Sequence, residues 1–364
     1  MYMGNRVKTE IASHFGLLSD RLAGMSFLCA VLIVMMHVGT AATPGTIQWW
    51  VFRFMGNCGF LRIAVPFFFL AAGYFLARHI GEEGWYRQAL KSRVKSLVVP
   101  YVLWNMLYWV FCLMLIKALG WIGYVPASLN VETVQNANVF EVLGLGLFIH
   151  PMLGPTWFIR NLLVLVVLSP LIAMSIRYLR FGMLVLLFCV NEICCYYAVG
   201  HPNMVQFILY TFSVEGLLYF AVGMFLREHP IAIPYGKGIG WCALGCGLGI
   251  IGASGILEEH GNRQWTMVLW GCFIPLIMYG IWRLVPLEGI GRKMRHYAFP
   301  LYLIHFPVNV MLSGVVGMLG MKELARESIW FFVCRVTIVI FFSLVLARLL
   351  RMSHWCSVLL FGGR

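Results

Sequence analysis

Seven ionisable side chains fall inside long apolar stretches of this sequence: His37, Arg62, Arg160, Glu192, Glu215, His305 and Arg335. In an apolar medium each such group is costly and needs a partner or a purpose. A neutral imidazole such as that of His37 or His305 can take a proton from a hydroxyl near neutral pH. The competing reading is a hydrogen-bonded packing residue. Arg62 and Arg160 can stabilise developing negative charge or snorkel to an interface. Glu215 can orient a histidine or pair with an arginine, and Glu192, followed by two cysteines and two tyrosines, reads as structural. Two basic stretches lie outside the apolar runs. Arg87, Lys91, Arg93 and Lys95 lead into Pro100, and Arg292, Lys293 and Arg295 form a second cluster. Such groups clamp phosphate oxygens, or they simply mark the cytoplasmic face. There is no Walker loop, no GxSxG and no HxxxD, so ATP hydrolysis, nucleophile-elbow chemistry and the soluble acyltransferase motif find no support.

The elements that must position these groups are membrane helices. Of 364 residues, 61% are hydrophobic and 11% charged, against about 25% charged in a soluble domain. The expected fold class is an all-α polytopic membrane helix bundle. Ten apolar segments are long enough to span: 22–41, 60–79, 97–119, 156–176, 181–199, 204–227, 236–255, 266–285, 297–319 and 329–350. The net charge of +13 is better explained by retained cytoplasmic loops than by nucleic acid. Nine of the eleven cysteines lie within apolar runs and none forms a CxxC pair, so no metal site is expected.

Ten spans with the N-terminus inside place 19 of the 27 Lys and Arg residues on the cytoplasmic side and 8 outside, which predicts an N-in, C-in topology. Residues 1–21 read as a cytoplasmic leader to an uncleaved signal anchor. The longest outer connection, 120–155, contains a short apolar stretch, Asn138 to Met152, that suits an interfacial or re-entrant helix. No second domain or repeat is evident, so residues 1–364 form a single unit.

Six blocks occur in an order that resembles the acyltransferase-3 family of bacterial membrane acyltransferases. They are the apolar run Phe27–Met36 ending at His37; Arg62-Ile63-Ala64-Val65-Pro66-Phe67-Phe68 with Gly73-Tyr74; and the basic stretch Lys91 to Lys95 before Pro100-Tyr101 and Trp104. The others are Trp157-Phe158-Ile159-Arg160-Asn161-Leu162; Tyr219-Phe220 with Gly223; and Tyr302-Leu303-Ile304-His305-Phe306-Pro307. Two positions depart from the pattern. Ser26 stands where many members carry a basic residue eleven positions before the histidine, and Ser96 stands at the second arginine of an Arg-x-x-Arg pair.

The resemblance implies a multi-pass protein of the bacterial cytoplasmic membrane. It would move an acyl group, most simply acetyl, from cytoplasmic acyl-CoA to a hydroxyl of an extracytoplasmic or lipid-linked glycan or similar acceptor. Acetyl-CoA would be a donor substrate, with no bound cofactor. Catalysis is expected at His37, with Glu215 as an orienting or pairing group. Lys91, Arg93, Lys95, Arg292 and Lys293 are expected to hold the CoA phosphates. Arg62, Tyr74, Trp157, Arg160 and His305 are expected at the acceptor or oxyanion. Direct transfer and a transient acyl-imidazole both fit. The expected partners are acyl-CoA, the acceptor and the lipid bilayer, with no nucleic acid; a homodimer is left open. The rival reading is a transporter or flippase for a lipid-linked glycan without acyl transfer.

Overall fold

The computed structural model describes residues 2–39, 42–57, 59–121, 131–146, 151–199, 201–205, 211–229 and 236–363, and these are almost entirely helical, with no strand among them. Among the described residues, nine helical stretches are long and apolar enough to cross a membrane: Gly16–Val38, Ile47–Ala77, Trp85–Gly120, Gly154–Leu179, Phe181–Ala198, Lys237–Glu259, Arg263–Leu284, Ala298–Met318 and Ile329–Met352. This is the all-α polytopic bundle the hydropathy predicted. We label the principal helices α1 (Tyr2–Val38), α2 (Ala64–Ala77), α3 (Trp85–Arg93), α4 (Val99–Gly120), α5 (Trp157–Leu179), α6 (Phe181–Ala198) and α7 (Val214–Glu228). The series continues with α8 (Lys237–Glu259), α9 (Arg263–Leu284), α10 (Leu287–Met294), α11 (Ala298–Met318), α12 (Ile329–Met352) and α13 (His354–Phe361).

The expected sixth span, 204–227, lies partly outside the described residues. Its described helix, α7, has 15 residues, roughly 22 Å at 1.5 Å per residue, short of a 30 Å hydrocarbon core. α7 is capped by Ser213, whose hydroxyl accepts from the Gly216 amide at 2.9 Å, and it packs tightly on α2. At Gly73 an added Cβ would run into the Phe220 carbonyl, and at Gly223 into that of Leu70. Two backbones in such contact need small residues, the usual means by which membrane helices gain dispersion energy.

A second close approach fixes α1. The short helix α10 lies against it through Gly24 and Gly291, where a Cβ on either would overlap the other helix's backbone. Arg21 donates to Glu288 at 2.8 Å and to the Trp282 carbonyl, and Arg295 pairs with Asp20. The opposite end of α1 faces α11 and α12, where Ala30, Val34, Val38, Leu301, Phe332 and Val339 form a small apolar core. The larger core joins α2, α4, α5, α7 and α9 around Phe69, Ile159, Phe220 and Phe273. Large apolar side chains on α5, α6 and α12, among them Val167, Phe181, Phe341 and Leu349, stay exposed. Outward apolar faces of this kind suit contact with lipid tails.

The connection over 120–155 lies partly outside the described residues. Its described part is not one continuous helix. Short helices Val131–Asn136 and Val139–Glu141 lead into a π-turn, Val142–Gly146. The loop is pinned to α4: Trp109 donates to the Val134 carbonyl at 3.1 Å, and the Leu153 amide donates to Asn105 Oδ1 at 3.0 Å.

Candidate functional site

α1 delivers His37 in its last turn, and α11 delivers His305 at a level where the two rings meet. Their centroids lie 5.1 Å apart, and His305 Nε2 sits 3.3 Å from His37 Nδ1. Each ring also bonds to its own helix one turn back. His37 Nδ1 lies 2.9 Å from the Ile33 carbonyl, and His305 Nδ1 lies 3.1 Å from the Leu301 carbonyl. A carbonyl oxygen only accepts, so both Nδ1 atoms carry the proton. In the tautomer that satisfies both carbonyls, the one His37 Nδ1 proton goes to Ile33 and is shared, as the longer arm of a three-centre bond, with the His305 Nε2 lone pair, and His37 Nε2 is left unprotonated. His305 is fully buried, whereas His37 is partly accessible. A basic nitrogen on the accessible ring, backed by a buried acceptor, can take and return one proton.

Polar contacts from neighbouring helices hold this pair. Asn309 Nδ2 donates to the His37 carbonyl at 2.9 Å, and Arg335 on α12 donates to Asn309 Oδ1 at 2.8 Å and to the Ser313 hydroxyl. Phe306 meets the His37 ring edge to face, with centroids 5.6 Å apart. One turn before His305, the Tyr302 hydroxyl donates to the Pro155 carbonyl, which ties α11 to the start of α5. Phe158 packs on Tyr302 there, at 6.0 Å between centroids. Buried Asn105 continues this network by donating to Thr156 Oγ1 at 3.2 Å and to the Tyr101 carbonyl.

The expected acceptor residues are distributed over this frame. Arg160 is buried in α5, donates to the Thr211 carbonyl at 3.4 Å and faces Tyr101. Trp157 is half-buried at the start of α5, and its carbonyl accepts from Asn161. Arg62 belongs to a different cluster. Its guanidinium stacks on Trp270 at 3.4 Å from the ring centroid, and its charge acts on Glu215, which is within electrostatic reach of Glu192. Glu215 thus lies with Arg62, while His305 is the side chain that meets the His37 ring nitrogen. Tyr74 lies at the far end of α2, ten residues beyond Ala64 or roughly 15 Å, where Arg227 donates to its hydroxyl at 3.3 Å and covers its ring.

Of the basic stretches, Lys91 is exposed and Arg93 half-buried at the end of α3, and Lys95 is exposed on the π-turn Val94–Val98. Arg292 and Lys293 are exposed on α10. Ser26, at the first departure, bonds back to the Leu22 carbonyl at 2.8 Å, and Arg21 is engaged by Glu288 and Trp282. Ser96, at the second, lies against Gly362 beyond α13, where a Cβ would overlap its backbone. Asn309 and Asn105 were not singled out from the sequence. Their signal was a carboxamide within an apolar run, weaker than a charge. No group of His, Cys, Asp and Glu able to hold a metal ion occurs among the described residues.

The family model of an acyltransferase domain matches residues 21–348, from Arg21 on α1 to Arg348 on α12, and so takes in both histidines. The chain belongs to the acyltransferase-3 family. This acyltransferase-3 chain is also similar to the succinoglycan biosynthesis protein ExoH of Rhizobium meliloti (strain 1021), at 26% identity over 229 residues. That match takes in 59% of this chain and 55% of ExoH, so it spans about half of the relative's length. No solved structure matches this family member.

Proposed function

We propose that this acyltransferase-3 protein transfers an acyl group from cytoplasmic acyl-CoA to a hydroxyl of a glycan, with His37 as the general base. The observation that carries this reading is the approach of His305 Nε2 to His37 Nδ1, whose proton the Ile33 carbonyl also accepts; with that proton on Nδ1, His37 Nε2 is free to accept another. In the reaction, His37 Nε2 takes the proton of the acceptor hydroxyl as its oxygen attacks the thioester carbonyl. The imidazolium that forms is stabilised by the His305 lone pair, which acts as a neutral counterpart to the carboxylate of a catalytic triad. Collapse of the tetrahedral intermediate breaks the C–S bond, and the departing thiolate recovers the proton from His37. The family supports acyl transfer, and the name of the ExoH relative supports a polysaccharide acceptor.

The remaining assignments follow topology. With the N-terminus inside, Lys91, Arg93, Lys95, Arg292 and Lys293 face the cytoplasm and hold the phosphates of CoA by charge-assisted hydrogen bonds. Arg160 and Trp157, on the α5 start that Tyr302 ties to the histidine helix, contact the acceptor. Arg62 and Glu215 balance each other's charge in their own cluster against Trp270.

The test is acyl-CoA binding and slow thioester cleavage by the detergent-purified chain, with acetyl-CoA and succinyl-CoA as probes. His37→Ala should keep binding and lose turnover by about 10²–10⁴-fold, the usual yield of a positioned base. Arg93→Ala should weaken binding. Wild-type turnover in His37→Ala would remove the assignment.

A further inference from the structure

His37 occupies the last turn of α1, which ends at Val38, so its carbonyl is one of the four at a helix C-terminus that lack an intrahelical partner. A side chain from another helix supplies that partner: Asn309 Nδ2, at 2.9 Å. The other face of the same carboxamide is held by Arg335, at 2.8 Å to Oδ1, and Arg335 is also bonded to Ser313, whose hydroxyl donates to the Asn309 carbonyl at 2.7 Å. Asn309 is 6% exposed and Arg335 6% exposed. None of the ion pairs among the described residues involves Arg335.

A buried guanidinium bonded to a neutral carboxamide and a hydroxyl is an expensive arrangement in an apolar medium. Two physical effects offset the cost. The positive charge lies near the negative end of the α1 dipole. It also polarises the carboxamide, which strengthens the N–H bond at the opposite end.

We propose that Asn309 and Arg335 are positioning residues, a cap from outside the helix that locks the terminal turn of α1 and thereby the His37 ring. The inference rests on His37 as the base. Without the cap the last turn frays, the bond to His305 lengthens and His37 Nε2 leaves the line of the acceptor proton. Displacement of a reacting group by about 1 Å can cost on the order of 10²-fold in rate.

Asn309→Asp separates positioning from mere structure. The carboxylate keeps its contact with Arg335, now as an ion pair, but has no N–H for the His37 carbonyl. Turnover of acetyl-CoA or succinyl-CoA should fall about 10–100-fold in kcat, with the donor KM within about twofold and the melting temperature at least that of the wild type. Arg335→Met should lose kcat similarly, and Arg335→Lys should restore part of it. If Asn309→Asp does not fold, Asn309→Ser is read by the same criterion. Wild-type kcat in the folded Asn309 variant overturns the proposal, as does a loss of kcat that tracks melting temperature across the series. His37→Ala run in parallel keeps the two readings apart. If it retains turnover the base assignment fails, whereas if only the Asn309 and Arg335 variants retain turnover the cap alone fails.

Discussion

The His37 and His305 rings meet nitrogen to nitrogen at 3.3 Å, from helices whose sequence positions are 268 residues apart. In the tautomer that satisfies both backbone carbonyls, the one His37 Nδ1 proton is shared between the Ile33 carbonyl and His305 Nε2, so within the pair His37 donates and His305 accepts. A carboxylate is the more common partner for a catalytic imidazole. Inside a membrane a neutral acceptor avoids burying a second charge.

The role of His305 is therefore testable by what can replace its lone pair. His305→Gln offers a carboxamide oxygen to the His37 N–H, and His305→Leu offers nothing. We expect kcat for acyl-CoA turnover to fall by about 10² in the leucine variant and by markedly less in the glutamine variant. Equal losses in the two would show that the hydrogen bond is not what matters.

The buried charges around Arg62 should behave as a unit. Arg62→Met strips a cation whose charge acts on Glu215 and leaves the Glu215 and Glu192 carboxylates less compensated, so it should lower the melting temperature. The double variant Arg62→Met/Glu215→Gln removes part of the repulsion and should be more stable than Arg62→Met alone. Additive losses across the cycle would show that the two residues do not interact.

The glycine contacts predict steric rather than electrostatic damage. Gly73→Ala and Gly223→Ala each push a methyl group into a carbonyl of the facing helix, and each should cost about 1–3 kcal/mol of stability by overpacking. Gly238→Ala and Gly245→Ala, where a Cβ meets no neighbour within 4 Å, should be neutral or slightly stabilising in thermal unfolding in detergent.

The proposed donor capture by exposed Lys91 and Lys95 together with Arg93 predicts an affinity sensitive to ionic strength. The Debye length falls from about 10 Å at 0.1 M salt to 3 Å at 1 M, so the dissociation constant for acetyl-CoA should rise steeply over that range. The rise should be shallower in Lys91→Ala/Lys95→Ala. A salt-independent affinity would move the phosphates to another surface.

Much of this was legible in the residues themselves. Hydropathy alone marks a multi-span helical chain, since a run of about 20 apolar residues has few other uses. The ordered blocks from His37 through Arg62 and Trp157 to His305 carried the resemblance to the family. What hydropathy blurs is the end of a helix. Of the sixth expected span, 204–227, the described helix α7 begins only after the Ser213 cap, a boundary that hydropathy does not mark because Phe212 before it is as apolar as the residues after it. The apolar stretch after Asn138 is helical over its described part, where Val139–Glu141 passes directly into the π-helical turn Val142–Gly146.

The sequence by itself determined which groups are buried in lipid and which are kept in water, because the free energy of burial is set by residue type. Only the tertiary structure decided which of the buried groups meet. Glu215, expected as a partner of His37 or of an arginine, stands with Arg62, and His305 stands with His37. Packing contacts such as Gly24 on Gly291 and Gly73 on Phe220 set the rotation of each helix about its axis. That rotation depends on the shapes of two surfaces at once, and no local property of either segment contains it.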